Sequence, residues 1–166
     1  MNAQPKPQQH LSALDFVFSQ HDQLNLELKL LLKLTALCGR PSENRDQIEA
    51  EWNEMRKLVA RVHHYVNGLL PDHQRFEEKK IFEVARPRLS THEQRQMEEL
   101  IQEHRSMEPL IERLSGSLKQ WMNFAQAPSS EELLRFNWLA DEFRFHVEGH
   151  EKKEEAVLSL LGTAIG

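Results

Sequence analysis

The sequence predicts an all-α protein, an up-down-up-down antiparallel four-helix bundle. Three observations lead there. The 166 residues include only six glycines and seven prolines, and the long segments are rich in Leu, Glu, Gln, Lys and Arg, the strong helix formers. Apolar residues recur in alternating steps of three and four, which gathers them on one helical face. The connections between these segments are short, which makes sequential helices antiparallel neighbours. One domain suits this length, with a core large enough to stand without disulfides.

Residues 1–10 read as a short disordered arm and residues 11–166 as the bundle. The first helix runs from about Ser12 to Cys38, with Leu14, Val17, His21, Leu24, Leu28, Leu31 and Thr35 inward. Gly39 and Pro41 end it, as a C-cap and a breaker. The second starts after Ser42 and reaches about Ala85, with Met55, Val59, Val62, Val66, Leu69, His73, Glu77, Ile81 and Val84 inward. That stripe keeps its phase through Pro71, so the proline reads as a kink and not a break. The third follows Pro87 and opens on the capping box Ser90-Thr-His-Glu93. Its stripe is Met97, Leu100, His104, Met107 or Glu108, Ile111, Leu114, Leu118 and Trp121, with Pro109 inside it. The fourth opens on a second capping box, Ser129 to Glu132, and turns Phe136, Ala140, Phe143, Val147, His150, Glu154, Val157 and Leu161 inward.

The composition excludes several classes. The formal net charge is −5 and no basic stripe occurs, which argues against nucleic acid. The most apolar stretch, Leu24 to Cys38, is interrupted by Glu27, Lys29 and Lys33, so no membrane span is expected. The N-terminus lacks the apolar core of a signal peptide. Cys38 is the single cysteine, which precludes an internal disulfide and suits a cytoplasmic protein. There is no H-E-x-x-H or E-x-x-H pattern, no G-x-G-x-x-G and no P-loop, so zincin, ferritin-type and nucleotide-binding readings fall away.

One pattern occurs twice. His73-Gln-Arg-Phe-Glu77-Glu78-Lys-Lys-Ile81 and His150-Glu-Lys-Lys-Glu154-Glu155-Ala-Val-Leu158 both read H-x-x-x-E-E-x-x-(I/L). His and Glu four apart share one helical face, and here it is the apolar face. Burying an imidazole and a carboxylate without compensation is costly. A metal ion compensates both. His21, His73, His104 and His150 also fall within roughly 8 Å of one another along the bundle axis at the helical rise per residue. The bundle is therefore expected to hold a buried metal site. A lone histidine on an apolar stripe is ordinarily a hydrogen-bonded core residue, but four at one level, two with Glu at i+4, are hard to satisfy mutually.

The other histidines fit the site less well. His10 lies in the arm, His92 in the first turn of the third helix, and His63 and His64 about 14 Å along the axis from His73. His146, one turn before His150, has three readings: ligand, hydrogen-bond donor to a ligand, or pocket lining. Glu78 and Glu155 read as surface residues or as partners of ligands.

Taken in order, His21, the motif at His73, His104 in Glu-His-Arg-Ser-Met-Glu, and the motif at His150 resemble the hemerythrin-like (HHE cation-binding) family over nearly the whole chain after the arm. The resemblance implies a non-haem di-iron site held by His21, His73, Glu77, His104, His150 and Glu154, the two glutamates bridging. Two departures stand out. Glu108 occupies the position, four after His104, where oxygen carriers place a second histidine. Glu154 follows His150 by four, where they have Asp at five. Both departures resemble the bacterial branch associated with repair of iron centres and nitric-oxide stress. Glu108 is accordingly expected as a seventh ligand, with His146 as its rival. The cofactor expected is two irons per chain, with zinc or manganese as alternatives. The small molecule would be O2 or NO, and the role redox or iron handling above oxygen transport. An iron or oxygen sensor and a structural zinc bundle are the competing readings; an enzymatic activity is left open.

Overall fold

A computed structural model describes residues 8–38, 45–123 and 128–165. Among these residues the chain is helical, with no strand. α1 is Gln8–Cys38. It begins within the segment read as an arm. α2 is a continuous helical run over residues 45–85. α3 is Thr91–Met122 and α4 is Ser130–Ile165. The Gly39 and Pro41 stop signals lie outside the described residues.

Both capping boxes form. The Ser90 backbone N–H donates to Glu93 Oε2 at 2.7 Å and the Glu93 N–H to Ser90 Oγ at 3.4 Å. At α4, Ser129 N–H donates to Glu132 Oε2 at 2.7 Å and Glu132 N–H to Ser129 Oγ at 3.3 Å. Each box satisfies N-terminal donors that no intrahelical carbonyl can reach.

α1 packs on α2 and α4, and α3 packs on the same two helices. The cross-helix contacts have a descending register. Gln20 meets His73 and Glu27 meets Arg61. Glu78 meets His104 and His63 meets Ser115. Glu103 meets His150 and Arg113 meets Glu142. In every pair of contacts the number on one helix falls as the other rises.

α2 is not uniform. Tyr65–Leu69 and Glu77–Phe82 are π-helical turns, and the hydrogen bonds from Leu70 N–H to Tyr65 O and from Glu83 N–H to Glu78 O span five residues. Each wide turn accommodates an extra residue and rotates the next stretch of helix about its axis. The inward stripe therefore departs from the expected one. Leu70 and Ala85 are buried, whereas Leu69 is only partly buried and Val84 is 40% exposed. Pro71 follows the first π turn directly, in the first turn of the α-helical segment Leu70–Phe76. There its missing N–H matters least, and the helix continues through it. In α1, Leu34 is buried in place of Thr35; the Thr35 hydroxyl donates to Leu32 O at 2.8 Å.

The apolar interior falls into two clusters. One contains Leu24, Leu31, Val59, Val66, Leu114 and Phe143. The other contains Leu14, Val17, Ile81, Phe82, Leu100 and Val157. His21, His73, Glu77, His104, His150 and Glu154 fall between the two on their helices, so a polar layer is sealed by apolar packing at both ends.

Candidate metal centre

The polar layer is built from helical pairs. His73 Nε2 lies 2.6 Å from Glu77 Oε1, four residues on, and His150 Nε2 lies 3.6 Å from Glu154 Oε2 at the same spacing. α1 and α3 each add one imidazole. His21 Nε2 is 3.1 Å from His73 Nε2, and His104 Nε2 is 2.9 Å from His150 Nε2. The carboxylates run between these two histidine pairs. Glu77 presents Oε1 to His21 at 3.3 Å and Oε2 to His104 at 3.5 Å. Glu154 Oε2 is 3.4 Å from His21 as well as facing His150. Two groups of ligand-type atoms result, His21, His73, Glu77 and Glu154 in one and Glu77, His104 and His150 in the other, each group within 4.8 Å. All six residues are buried.

Three of the four imidazoles are anchored from behind. His73 Nδ1 bonds Gln20 Oε1 at 3.1 Å, His104 Nδ1 bonds Glu78 Oε1 at 2.8 Å, and His150 Nδ1 bonds Glu103 Oε2 at 3.0 Å. The acceptors are a side-chain carbonyl or carboxylates, so each Nδ1 carries the proton and each Nε2 presents a lone pair. A histidine turned inward with its other nitrogen donating to a carboxylate or amide is the usual metal-ligating arrangement. Lone pairs aimed at one another across 2.9 Å repel unless a cation or a proton lies between them. Glu77 Oε2 and both Glu154 oxygens are buried with no hydrogen-bond partner. Such atoms are costly in a dry interior. The donor set therefore fits a metal ion, and the cluster can hold one.

The electrostatics follow from crowding. Burial drives the His73 pKa down to about 4, against the pull of Glu154. His104 is lowered by burial and by His150, with Glu78 opposing. Burial also disfavours charge on His21, but the Glu154 carboxylate 3.4 Å away and the field of the surrounding carboxylates outweigh it, and its pKa is raised. The two carboxylates diverge. Burial and the nearby Glu154 push Glu77 well above the usual carboxylate range. Burial opposes the charge on Glu154 too, yet the protons held on Glu77 and His21 bring it down to about 2. Beside them Glu151, pushed up by burial, sits at about 7. Like charges confined together separate in this way.

The structure brings six of the seven expected ligands together and leaves out the seventh. Glu108 is exposed. Met107 takes the inward position at 1% exposure, and α3 continues through Pro109 without turning Glu108 inward. His146 is exposed as well and lines a cavity of about 310 Å³ that borders His150, Glu103 and Lys153. His64 and His92 are exposed. His63 is partly buried and pairs with Ser115 Oγ at 3.2 Å, away from the cluster. Glu155 is exposed, while Glu78 is the partner of His104. The side chains of His10 and Cys38 lie outside the described residues.

Two anchoring residues are not singled out by the motif, Gln20 and Glu103. Each immediately precedes a core histidine, His21 or His104, and each holds the histidine of the following helix. A polar residue directly before an inward histidine is the signal that would find them. Lys153 in turn pairs with Glu103.

No known protein family, characterised protein or solved structure matches the chain. Among the described residues, no helix is long and apolar enough to cross a membrane.

Proposed function

We propose that the protein is a non-haem di-iron binding protein, hemerythrin-like in its ligand set, in an up-down-up-down antiparallel bundle. Its role would be redox chemistry, oxygen or nitric-oxide handling, or iron handling. The descending register of cross-helix contacts supports the topology. One observation carries the metal reading: two pairs of Nε2 atoms, 3.1 and 2.9 Å apart, face inward, three of the four rings from Nδ1 anchors, with two carboxylates running between the pairs.

That arrangement divides into two ligand sets, His21 with His73 and His104 with His150, which share Glu77; Glu154 belongs to the first and lies 3.6 Å from His150 of the second. Mixed imidazole and carboxylate ligation suits iron, with manganese and zinc as the rivals. When bound, two irons supply one-electron redox steps and positions open to a small molecule such as O2 or NO. The chain does the rest. Gln20, Glu78 and Glu103 fix the ring orientations and tautomers. The two carboxylates would offset half of the charge of a diferrous pair. The apolar clusters on either side exclude water and strengthen every electrostatic contact in the layer.

The test is optical. Protein loaded anaerobically with ferrous ion should change its absorption spectrum on exposure to air, and differently on exposure to nitric oxide. A spectrum indifferent to both removes the redox and diatomic-gas role.

A further inference from the structure

The outer face of α4 carries large apolar side chains that stay exposed among the described residues. Trp138 is 74% exposed, Phe145 75% and Leu134 56%. They lie four and seven residues apart, so they form one ridge. Single exposed apolar residues are ordinary, but two aromatics on one ridge at this exposure are not.

The ridge is complementary to itself. Reversed about the midpoint between Asp141 and Glu142, Trp138 falls level with Phe145, Arg135 with Glu148, and Glu131 with Lys152. These three levels pair an aromatic with an aromatic or an acid with a base, while Leu134 falls level with Gly149; Glu131 and Arg135 also pair with each other along the helix, as Glu148 does with Arg144. A surface that matches its own reverse is what a two-fold contact requires. The like charges at the midpoint are already engaged: Asp141 with Arg144 at 3.7 Å and Glu142 with Arg113 at 4.0 Å. Next to Phe145 the surface is concave. The cavity of about 310 Å³ between α3 and α4 opens there, and a Cβ built on Gly149 meets nothing within 4 Å. It offers room for an indole.

We propose that the outer face of α4 is the two-fold interface of a homodimer, in which Trp138 of each copy seats beside Phe145 and Gly149 of the other. From 131 to 152 the ridge is roughly 32 Å long at the helical rise. Its four aromatic rings contribute on the order of 600 Å², about half of a small specific interface. The stems of the flanking charged residues supply more. An interface at the small end of the specific range suits reversible association.

The experiment is sedimentation equilibrium of the full chain from about 1 μM to 1 mM, the span in which such a dimer forms and dissociates. Wild type should pass from monomer to dimer. Trp138→Ala should stay monomeric throughout, with unchanged helical content. Lys152→Glu should weaken the dimer about tenfold, and adding Glu131→Lys in the same chain should bring it back to within about threefold of wild type. Wild type that remains monomeric across the range overturns the proposal, whatever other proteins bind the ridge. So does a dimer that Trp138→Ala leaves intact, or a charge-reversed double variant no stronger than Lys152→Glu alone.

Discussion

His104 and His150 point their Nε2 atoms at each other across 2.9 Å, while their Nδ1 atoms are held by Glu78 and Glu103 on the far sides of the rings. The outer bonds decide the inner chemistry. With the proton fixed on Nδ1, neither ring can donate to the other, and the close approach calls for a cation. Gln20 fixes the proton of His73 in the same way, whereas His21 Nδ1 has no such anchor.

Removing an inner ligand should therefore cost metal and holoprotein stability together. His73→Ala and His150→Ala each leave carboxylates buried beside an incomplete ligand set, a penalty of roughly 3–5 kcal/mol. His63→Ala, away from the cluster, should keep full metal content. Metal analysis and thermal melts of the three variants check this; equal metal in all three would contradict the assignment.

Glu103→Gln and Glu78→Gln test the anchors. Each keeps the size of the side chain but replaces a charged acceptor with a neutral one. Metal affinity should fall by about 10- to 100-fold, the usual cost of losing such a partner, with helicity intact. Competition against a chelator of known affinity measures it. Unchanged affinity in both would mean the rings need no anchoring.

Metal affinity should rise with pH. His21 and Glu77 both have raised pKa values, so both hold protons in the metal-free protein at pH values where free side chains would have released them. Binding must displace those protons, and affinity falls as acid restores them. Glu154, at about 2, is already ionised and adds no dependence near neutrality. Chelator competition repeated across pH should show the slope, and proton release on loading should accompany it. Flat affinity from acid to neutral pH would contradict the picture.

The cap of α4 is separable from the site. Ser129→Ala removes the acceptor for Glu132 N–H and should lower stability by about 1 kcal/mol. Metal content should not change. Urea titration and metal analysis of the same preparation show whether fold and site respond independently.

Much of this was legible in the residues. The stripes of α3 and α4, the two capping boxes and the H-x-x-x-E pairs follow from helical spacing and local hydrogen bonding, so periodicity locates them. The departures have non-local causes. The π turns at Tyr65–Leu69 and Glu77–Phe82 leave no mark in a periodic pattern, because one extra residue per turn only moves burial from Leu69 to Leu70 and from Val84 to Ala85. Glu108 misled because Met107 and Glu108 both fit the stripe by count; the apolar side chain took the inward position, which saves the cost of burying a further charge. Gln20 and Glu103 serve histidines on neighbouring helices, so no spacing within one helix reveals them.

The central claim is that two metal ions sit in one layer, held by His21, His73, Glu77, His104, His150 and Glu154. Quantitative metal analysis after anaerobic reconstitution with ferrous ion tests it most directly. Four imidazoles and two carboxylates are about the ligand complement of a two-metal site, so about two irons per chain should be retained after desalting. Retention of a single ion, or stoichiometric zinc with no uptake of iron, would contradict it.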